Sequence, residues 1–446
     1  EGEFLLEQLS SVASRDCFII KLDSNSQFLW AKQISNPSGG AANEDSKAIE
    51  VDSNGNIYVA GSFIFADFDP DPVDTEEILT QNATNGNDGF LVKLDTNGDF
   101  QWVKVFEAGG NASVEDIVLD ENEDILLTGS YENSIDLNPS DTTADEFFSN
   151  GSKDIFVAKL DNMGNYVWGN SFGGPDSDLI DVIKNMPSGI YIGGTISGTV
   201  DLDPGSGTDV ISTNGVKDGF FSKFDSTGTY QYGYTIGGAD DASATERVYD
   251  ITQVNDGNLI IIGTFTGTTD FDLSSSVANT VSNGGADNYI LKIMPDGSYI
   301  EHVTIGGVNN EGSPQVLENS AGDYLSIGTF SSPSVDFNPF NGDDTQNNSS
   351  NTTSDIYVSR FNTSQTMRVN EENYEYLDLF PNPASRYIEI SGTNDLETYE
   401  IYSITGQLVK SGEYLDRIQV YELETGLYFI KLGSGTISTT KKFIKK

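Results

Sequence analysis

Cysteine and histidine are almost missing from this chain: its 446 residues include one of each, Cys17 and His302. A single cysteine forms no intrachain disulfide. Zinc sites of the usual composition are excluded, and so is a Cys/His nucleophile pair unless the two residues meet across distant copies of the repeat described below. Cations are scarce as well, with 23 Lys and Arg against 69 Asp and Glu, a net charge of −46 and a pI near 4.1. That field repels a phosphate backbone and an anionic lipid surface, so no nucleic-acid partner is expected. No run of 18 apolar residues occurs, and no helical membrane span is expected. The chain opens at Glu1-Gly2-Glu3-Phe4 without Met or a signal peptide, which reads as a removed leader or a fragment.

The residues in abundance are Gly, Asp, Asn, Ser, Thr, Phe and Tyr, which favour short strands and many turns over helices. An all-β chain of this length has room for two or three domains. Its many carboxylates are also oxygen ligands suited to a hard cation such as calcium.

Self-comparison finds a repeat. Asp16-Cys-Phe-Ile-Ile-Lys-Leu-Asp23 returns at Asp88, Asp154, Asp218, Asp287 and Asp355, with spacings of 72, 66, 64, 69 and 68 residues. Each period holds four strand-like pieces. In one clean copy these are strand a from Asp116 to Leu119, b from Asp124 to Tyr131, c from Asp154 to Leu160 and d from Tyr166 to Phe172. Turns such as Asp95-Thr-Asn-Gly98-Asp join c to d, with Gly supplying the positive φ that a tight turn needs. Four antiparallel strands repeated about six times predict a β-propeller; a β-solenoid has much shorter coils. The chain starts inside a blade, because Gly2-Glu3-Phe4 matches the strand-b motif of Gly61-Ser-Phe, and the last copy shows no strand d after Phe361. These units resemble the SBBP-type bacterial β-propeller repeat from residue 2 to about 361. The resemblance implies the fold and no single activity.

In such a blade the a-to-b and c-to-d turns leave one end, and the b-to-c and d-to-a connections leave the other. The second end gathers the acidic segments Asp67-Phe-Asp69-Pro, Asp136-Leu-Asn-Pro, Asp201-Leu-Asp203-Pro, Asp270-Phe-Asp272 and Asp336-Phe-Asn-Pro. Carboxylates two residues apart can reach one cation, so Asp67, Asp69, Asp136, Asp201, Asp203, Asp270, Asp272 and Asp336 are candidate calcium ligands. The alternative is that these Asp residues start turns and cap backbone groups; no segment has the full EF-hand ligand set. Trp30, Trp102, Trp168 and Tyr232 recur in register on strand d, which reads as packing between blades. Nothing breaks the repeat in a way that marks a catalyst, so no catalytic residue is assigned and His302 reads as structural. A polysaccharide hydrolase or lyase, needing only two carboxylates, is the alternative.

After Phe361 the repeat ends. Residues 363–376 read as a polar linker, and residues 377–446 as a small β-sandwich with alternating apolar residues and Gly turns. That last segment holds eight Lys/Arg and nine Asp/Glu, so almost all the negative charge belongs to residues 1–362. Pro381-Asn382-Pro383-Ala-Ser385, Tyr402-x-x-x-Gly406-x-x-Val409, Gly426-Leu-Tyr428-Phe-x-Lys431 and Lys441-Lys442-Phe-Ile-Lys-Lys446 resemble the type A sorting domain of the type IX secretion system of Bacteroidetes. The resemblance implies the secretion machinery and its sortase as partners, passage through the outer membrane, and removal of this domain with release or surface attachment. The sequence as a whole thus reads as a secreted or surface-attached propeller that binds a glycan or another surface protein, with an exported polysaccharide hydrolase or lyase as the alternative.

Overall fold

The computed structural model describes residues 15–35, 44–69, 78–80, 86–140, 143–238, 244–274, 276–319, 323–338, 344–348, 353–362, 378–391, 398–403, 408–413, 417–434 and 437–446. The chain divides into two units, Glu1–Phe361 and Asn362–Lys446. Every regular element among the described residues is a strand.

The first unit is a succession of sheets. The first pairs β1 (Cys17–Leu22) with β2 (Phe28–Ile34). The second contains β3 (Asp45–Val51), β4 (Ile57–Phe63), the short hairpin of β5 (Phe65–Asp67) and β6 (Ile78–Thr80), then β7 (Asp88–Leu94) and β8 (Phe100–Phe106). The third repeats this as β9 (Ala112–Leu119), β10 (Ile125–Tyr131), hairpin β11 (Ser134–Asp136) and β12 (Glu146–Phe148), β13 (Asp154–Leu160) and β14 (Tyr166–Phe172). The fourth has β15 (Leu179–Met186), β16 (Gly189–Ile196), hairpin β17 (Thr199–Asp201) and β18 (Val210–Ser212), β19 (Asp218–Phe224) and β20 (Tyr230–Gly238). The fifth has β21 (Glu246–Gln253), β22 (Leu259–Phe265), hairpin β23 (Thr268–Asp270) and β24 (Asn279–Val281), β25 (Asp287–Ile293) and β26 (Tyr299–Ile305). The sixth has β27 (Glu311–Glu318), β28 (Asp323–Phe330), hairpin β29 (Ser334–Asp336) and β30 (Thr345–Asn347), and β31 (Asp355–Asn362). The long strands of each sheet are antiparallel and pair in chain order, with a at one edge from the second sheet onward.

Strands c and d of the reference copy stand where the motif puts them. Strand a, expected from Asp116, starts four residues earlier at Ala112, because a β-bulge hides its alternation: opposite β10 the register passes from Asp116 to Val114 and leaves Glu115 over. Strand b starts at Ile125 and not at Asp124, whose N–H is held in the preceding turn by Asp120 Oδ1 at 3.0 Å. The same bulge leaves over Lys47, Asp181 and Tyr249. It also explains the glycine of the b motif. A Cβ on Gly129 would stand 2.0 Å from the Ser113 carbonyl oxygen, and one on Gly263 would stand 1.8 Å from that of Arg247.

Consecutive sheets pack face to face, and each interface is a core of its own. Tyr58, Ala60, Leu91 and Phe106 of the second sheet meet Val114, Leu127 and Phe156 of the third. Leu126 and Val157 of the third meet Ile183, Ile192 and Phe220 of the fourth. Inner sheets are therefore apolar on both faces, as the fully buried β13 shows, and each large side chain contributes roughly 2–3 kcal/mol of burial.

The second unit is a sandwich. β32 (Asp378–Phe380), β33 (Tyr387–Ser391) and β36 (Arg417–Gln419) form one sheet. β34 (Thr398–Ser403), β35 (Leu408–Glu413), β37 (Gly426–Ser434) and β38 (Ile437–Lys445) form the other, ordered β35-β34-β37-β38. Ile388, Ile401, Ile418, Ile430, Leu432 and Phe443 fill the space between them.

Candidate functional site

The acidic b-to-c segments and the d-to-a connections do share one end of the first unit. Asp67 N–H donates to the Ser35 carbonyl and Asp136 N–H to that of Glu107, both at 2.9 Å, while Gly237 pairs with Asp270. Within each segment the leading carboxylate organises its own turn. Asp136 Oδ1 accepts from the N–H groups of Asn138 (2.9 Å) and Asp145 (2.8 Å), and Asp201 Oδ1 from those of Asp203 (3.2 Å) and Asp209 (2.8 Å). Asp270 Oδ1 and Asp336 Oδ1 repeat the pair with Asp272 and Ala278, and with Asn338 and Asp344. Asp67 Oδ1 accepts from Asp69 N–H. The second carboxylates do the same work: Asp203 Oδ1 accepts from Gly205 N–H and Asp272 Oδ1 from Ser274 N–H. Among the described residues no three His, Cys, Asp or Glu side chains gather where they could hold a metal ion.

Sequence reasoning missed a second group of charges, on the inner strands a. The bulges turn their extra residues toward neighbouring sheets: Lys47 Nζ lies 3.5 Å from Glu115, and Arg247 grips Asp181 through Nε and a terminal nitrogen at 2.7 and 2.5 Å. Deeper along the same strands, Lys184 Nζ is 3.2 Å from Asp250 Oδ1. Burial disfavours its charge, yet Asp250, Asp116 and Glu50 together hold the ammonium above its ordinary pKa. Asp116 Oδ2 accepts from Ile183 N–H at 2.9 Å, and burial pushes its pKa up to about 6. These eight charged strand residues carried no mark in the sequence except position within the repeat.

A third group sits at the sheet-to-sheet junctions. At each junction the residue that opens strand a donates its N–H to the carbonyl just before the strand-c Asp of the preceding sheet: Glu44 to Arg15, Ala112 to Asn87, Asp178 to Lys153, Glu246 to Lys217 and Glu311 to Ala286. Three junctions thereby bring a buried carboxyl beside another, Asp16 with Glu44, Asp154 with Asp178 and Asp287 with Glu311, and a fourth buries Asp218. Burial raises Asp178, Asp218 and Asp287 to about 6, with Asp154 adding to the shift of Asp178 and Glu311 to that of Asp287. Glu44 is pushed up to about 8 by burial and by Asp16. Asp154, Asp178, Asp218 and Asp287 are at most 1% exposed. Covered in this way, they hold loops to sheets: Asp178 accepts from Gly174 and Ser197 N–H at 2.7 and 2.8 Å.

The strand-d aromatics stand between sheets. The turn glycine of the following sheet lies against each ring: a Cβ on Gly98 would come within 3.1 Å of Trp30, on Gly164 within 3.3 Å of Trp102, and on Gly228 within 2.7 Å of Trp168. Tyr232 of the fourth sheet instead donates its OH to the Pro295 carbonyl in the turn of the fifth. His302 is half-buried, stacked on Phe271 with centroids 4.4 Å apart and bonded to Thr280 Oγ1 (2.7 Å) and Tyr299 OH (2.8 Å). Desolvation lowers its pKa, so it packs as a neutral ring.

In the second unit the Pro381-Asn382-Pro383 loop is fastened to the C-terminal strand. Asn382 Oδ1 accepts from Ile444 N–H (3.0 Å) and its Nδ2 donates to the Lys442 carbonyl (3.2 Å); Ala384 N–H donates to Ile444 O and Lys446 N–H to Ala384 O. Tyr428 stacks on Phe443 at 5.6 Å and donates to Glu424 O, and Lys431 Nζ lies 3.8 Å from Glu400. Gly426 opens β37 opposite Lys445, while Lys441 and Lys442 of β38 pair with Ile430 and Phe429. Gly406 lies outside the described residues.

This clipped sandwich is an export module. Residues 378–446 match the family described as secretion system C-terminal sorting domain, and by it the protein leaves the cell through the type IX secretion system, to the cell surface or the medium. The chain is also similar, at 23% identity over 398 residues, to the uncharacterized WD repeat-containing protein L264 of Acanthamoeba polyphaga mimivirus; the match takes in 74% of this chain and 27% of that protein. The chain therefore spans about a quarter of that relative's length. Among solved structures, a glycoside hydrolase family 32 protein from Bifidobacterium adolescentis aligns at 9% identity and TM-score 0.30, covering 90% of this chain and 75% of that one. The polysaccharide lyase Uly1 aligns at 11% identity and TM-score 0.31, covering 90% and 89%. At such scores neither fold nor activity carries over to this chain.

Proposed function

We propose that residues 1–362 are a propeller-type binding module of SBBP-like repeats, delivered by the sorting domain to hold a glycan or protein at the cell surface. One observation supports the propeller most: Lys184 interacts with Asp250, Asp116 and Glu50, which lie on the inner strands of three other sheets. Sheets that share an axis in this way fan outward and put their b-to-c and d-to-a loops on one end, where carboxylate-locked turns make a rigid polar surface. A binding role uses that surface without needing a residue that departs from the repeat. A glycan array probed with the secreted protein, repeated after D203N and D272N, tests it: binding to a defined glycan class that falls in the variants is expected. Reducing-sugar or unsaturated-product release from polysaccharide would replace it with the hydrolase or lyase reading. The same loops bear on calcium. Their Oδ1 atoms already accept backbone N–H groups, which favours turn capping, so EGTA is expected to leave the melting temperature unchanged; a drop would restore a calcium role. Cleavage by the sortase of the type IX system predicts that the mature protein lacks the mass of the sorting domain.

A further inference from the structure

Five sheets carry strand d, and all five share one pattern. An aromatic comes first (Phe28, Phe100, Tyr166, Tyr230, Tyr299) and a Phe or Ile follows six residues later (Ile34, Phe106, Phe172, Ile236, Ile305). The later residue is at most 3% exposed. Two of the three leading tyrosines reach the b-to-c hairpin of their own sheet: Tyr166 OH donates to Asp145 Oδ2, and Tyr230 OH to Asp209 Oδ2 at 2.6 Å. The residue three places after it packs on an apolar neighbour, Gly169 against Leu137, Gly233 against Leu202 and His302 against Phe271.

The sixth sheet offers the same fittings. β31 pairs with β28, and among the described residues no strand lies along its other edge. Beside that edge is a cavity of about 660 Å³ lined by Phe337, Asp344, Tyr357 and Val358, among others. Asp344 occupies the place of Asp145 and Asp209, for its N–H donates to Asp336 Oδ1 at 3.0 Å as theirs do to Asp136 and Asp201 at 2.8 Å. Phe337 likewise stands where Leu137, Leu202 and Phe271 stand. An edge strand, an apolar pocket and a carboxylate acceptor are thus set out as strand d uses them elsewhere in this molecule.

We propose that the edge of β31 is a strand-acceptor site for an extended segment of a partner polypeptide, with a leading tyrosine and a Phe or Ile six residues on. Backbone pairing gives affinity, and the tyrosine and the distal apolar residue set the register. The chain supplies its own probe: a fluorescein-labelled peptide with the sequence of residues 164–174, titrated into the full chain and followed by anisotropy. Saturable binding is expected, and a same-composition scramble should not bind. A charge-assisted hydrogen bond predicts about tenfold weaker binding when the peptide tyrosine becomes Phe or the protein carries D344N, with little further loss when both are combined. N-methylation of alternate peptide nitrogens should block binding in one phase and spare it in the other, since an added strand turns only alternate N–H groups toward its acceptor. Failure of the parent peptide to bind, as occupation of the edge by the chain's own residues would cause, overturns the proposal. Equal binding of the scramble, or equal loss in both methylation phases, also overturns it.

Discussion

Gly228 and Gly257 have almost the same backbone, with φ of +79° and +84°, and different surroundings. An alanine at Gly257 meets nothing within 4 Å, so G257A pays only for the left-handed conformation, about 1 kcal/mol. In G228A the new methyl also collides with Trp168, and overpacking brings the expected loss to roughly 2–4 kcal/mol; denaturant titration of both variants checks the difference. The buried junction carboxyls act through pH. Asp178, Asp218 and Asp287 have folded pKa values near 6, above the ordinary carboxylate range. Between about pH 4 and 6 the folded state binds more protons than the unfolded, so stability falls as pH rises through that window, and continues to fall toward pH 8 through Glu44. D218N should therefore raise the melting temperature most at pH 8, less at pH 5 and hardly at all at about pH 3.5, below the unfolded pKa, whereas neutralising an exposed acid such as Asp99 should do much less at pH 8.

At the level of elements, equal positions in the repeat are unequal in the fold. Val157 of β13 and Val358 of β31 occupy the same motif place, but the first is fully buried against the next sheet and the second is 73% exposed. V157D should cost at least about 3 kcal/mol, by burying an unpaired charge, and V358D less than about 0.5 kcal/mol; thermal melts of the two variants give the comparison. The strands themselves were readable, since alternation and turn glycines are local signals. The bulge in strand a was not, because it breaks the two-residue period on which that reading depends. The acidic loops were read on the correct end of the sheets, but their spacing looked the same for cation binding and for turn capping. Hydrogen bonds from residues eight or nine places later, such as Asp145 to Asp136, became visible only once the hairpin was formed.

For the whole molecule, the sorting domain determines destination. Deleting residues 377–446 should leave the protein in the periplasm, as fractionation and immunoblotting would show; undisturbed export would refute its role. Asn382 fastens its loop to the last strand by two hydrogen bonds, so N382A should loosen that clip and reduce export while the first unit keeps its own melting transition.

The amino-acid sequence alone determined the repeat, the strand-and-turn content of each copy and the export address, because each is written in residues close together along the chain. Only the tertiary structure decided which carboxyls are buried at junctions, which charges meet on the inner strands and which strand edge has no partner among the described residues. Those outcomes depend on neighbours one or more repeats away, and in copies that read nearly alike the difference lies in what packs on them.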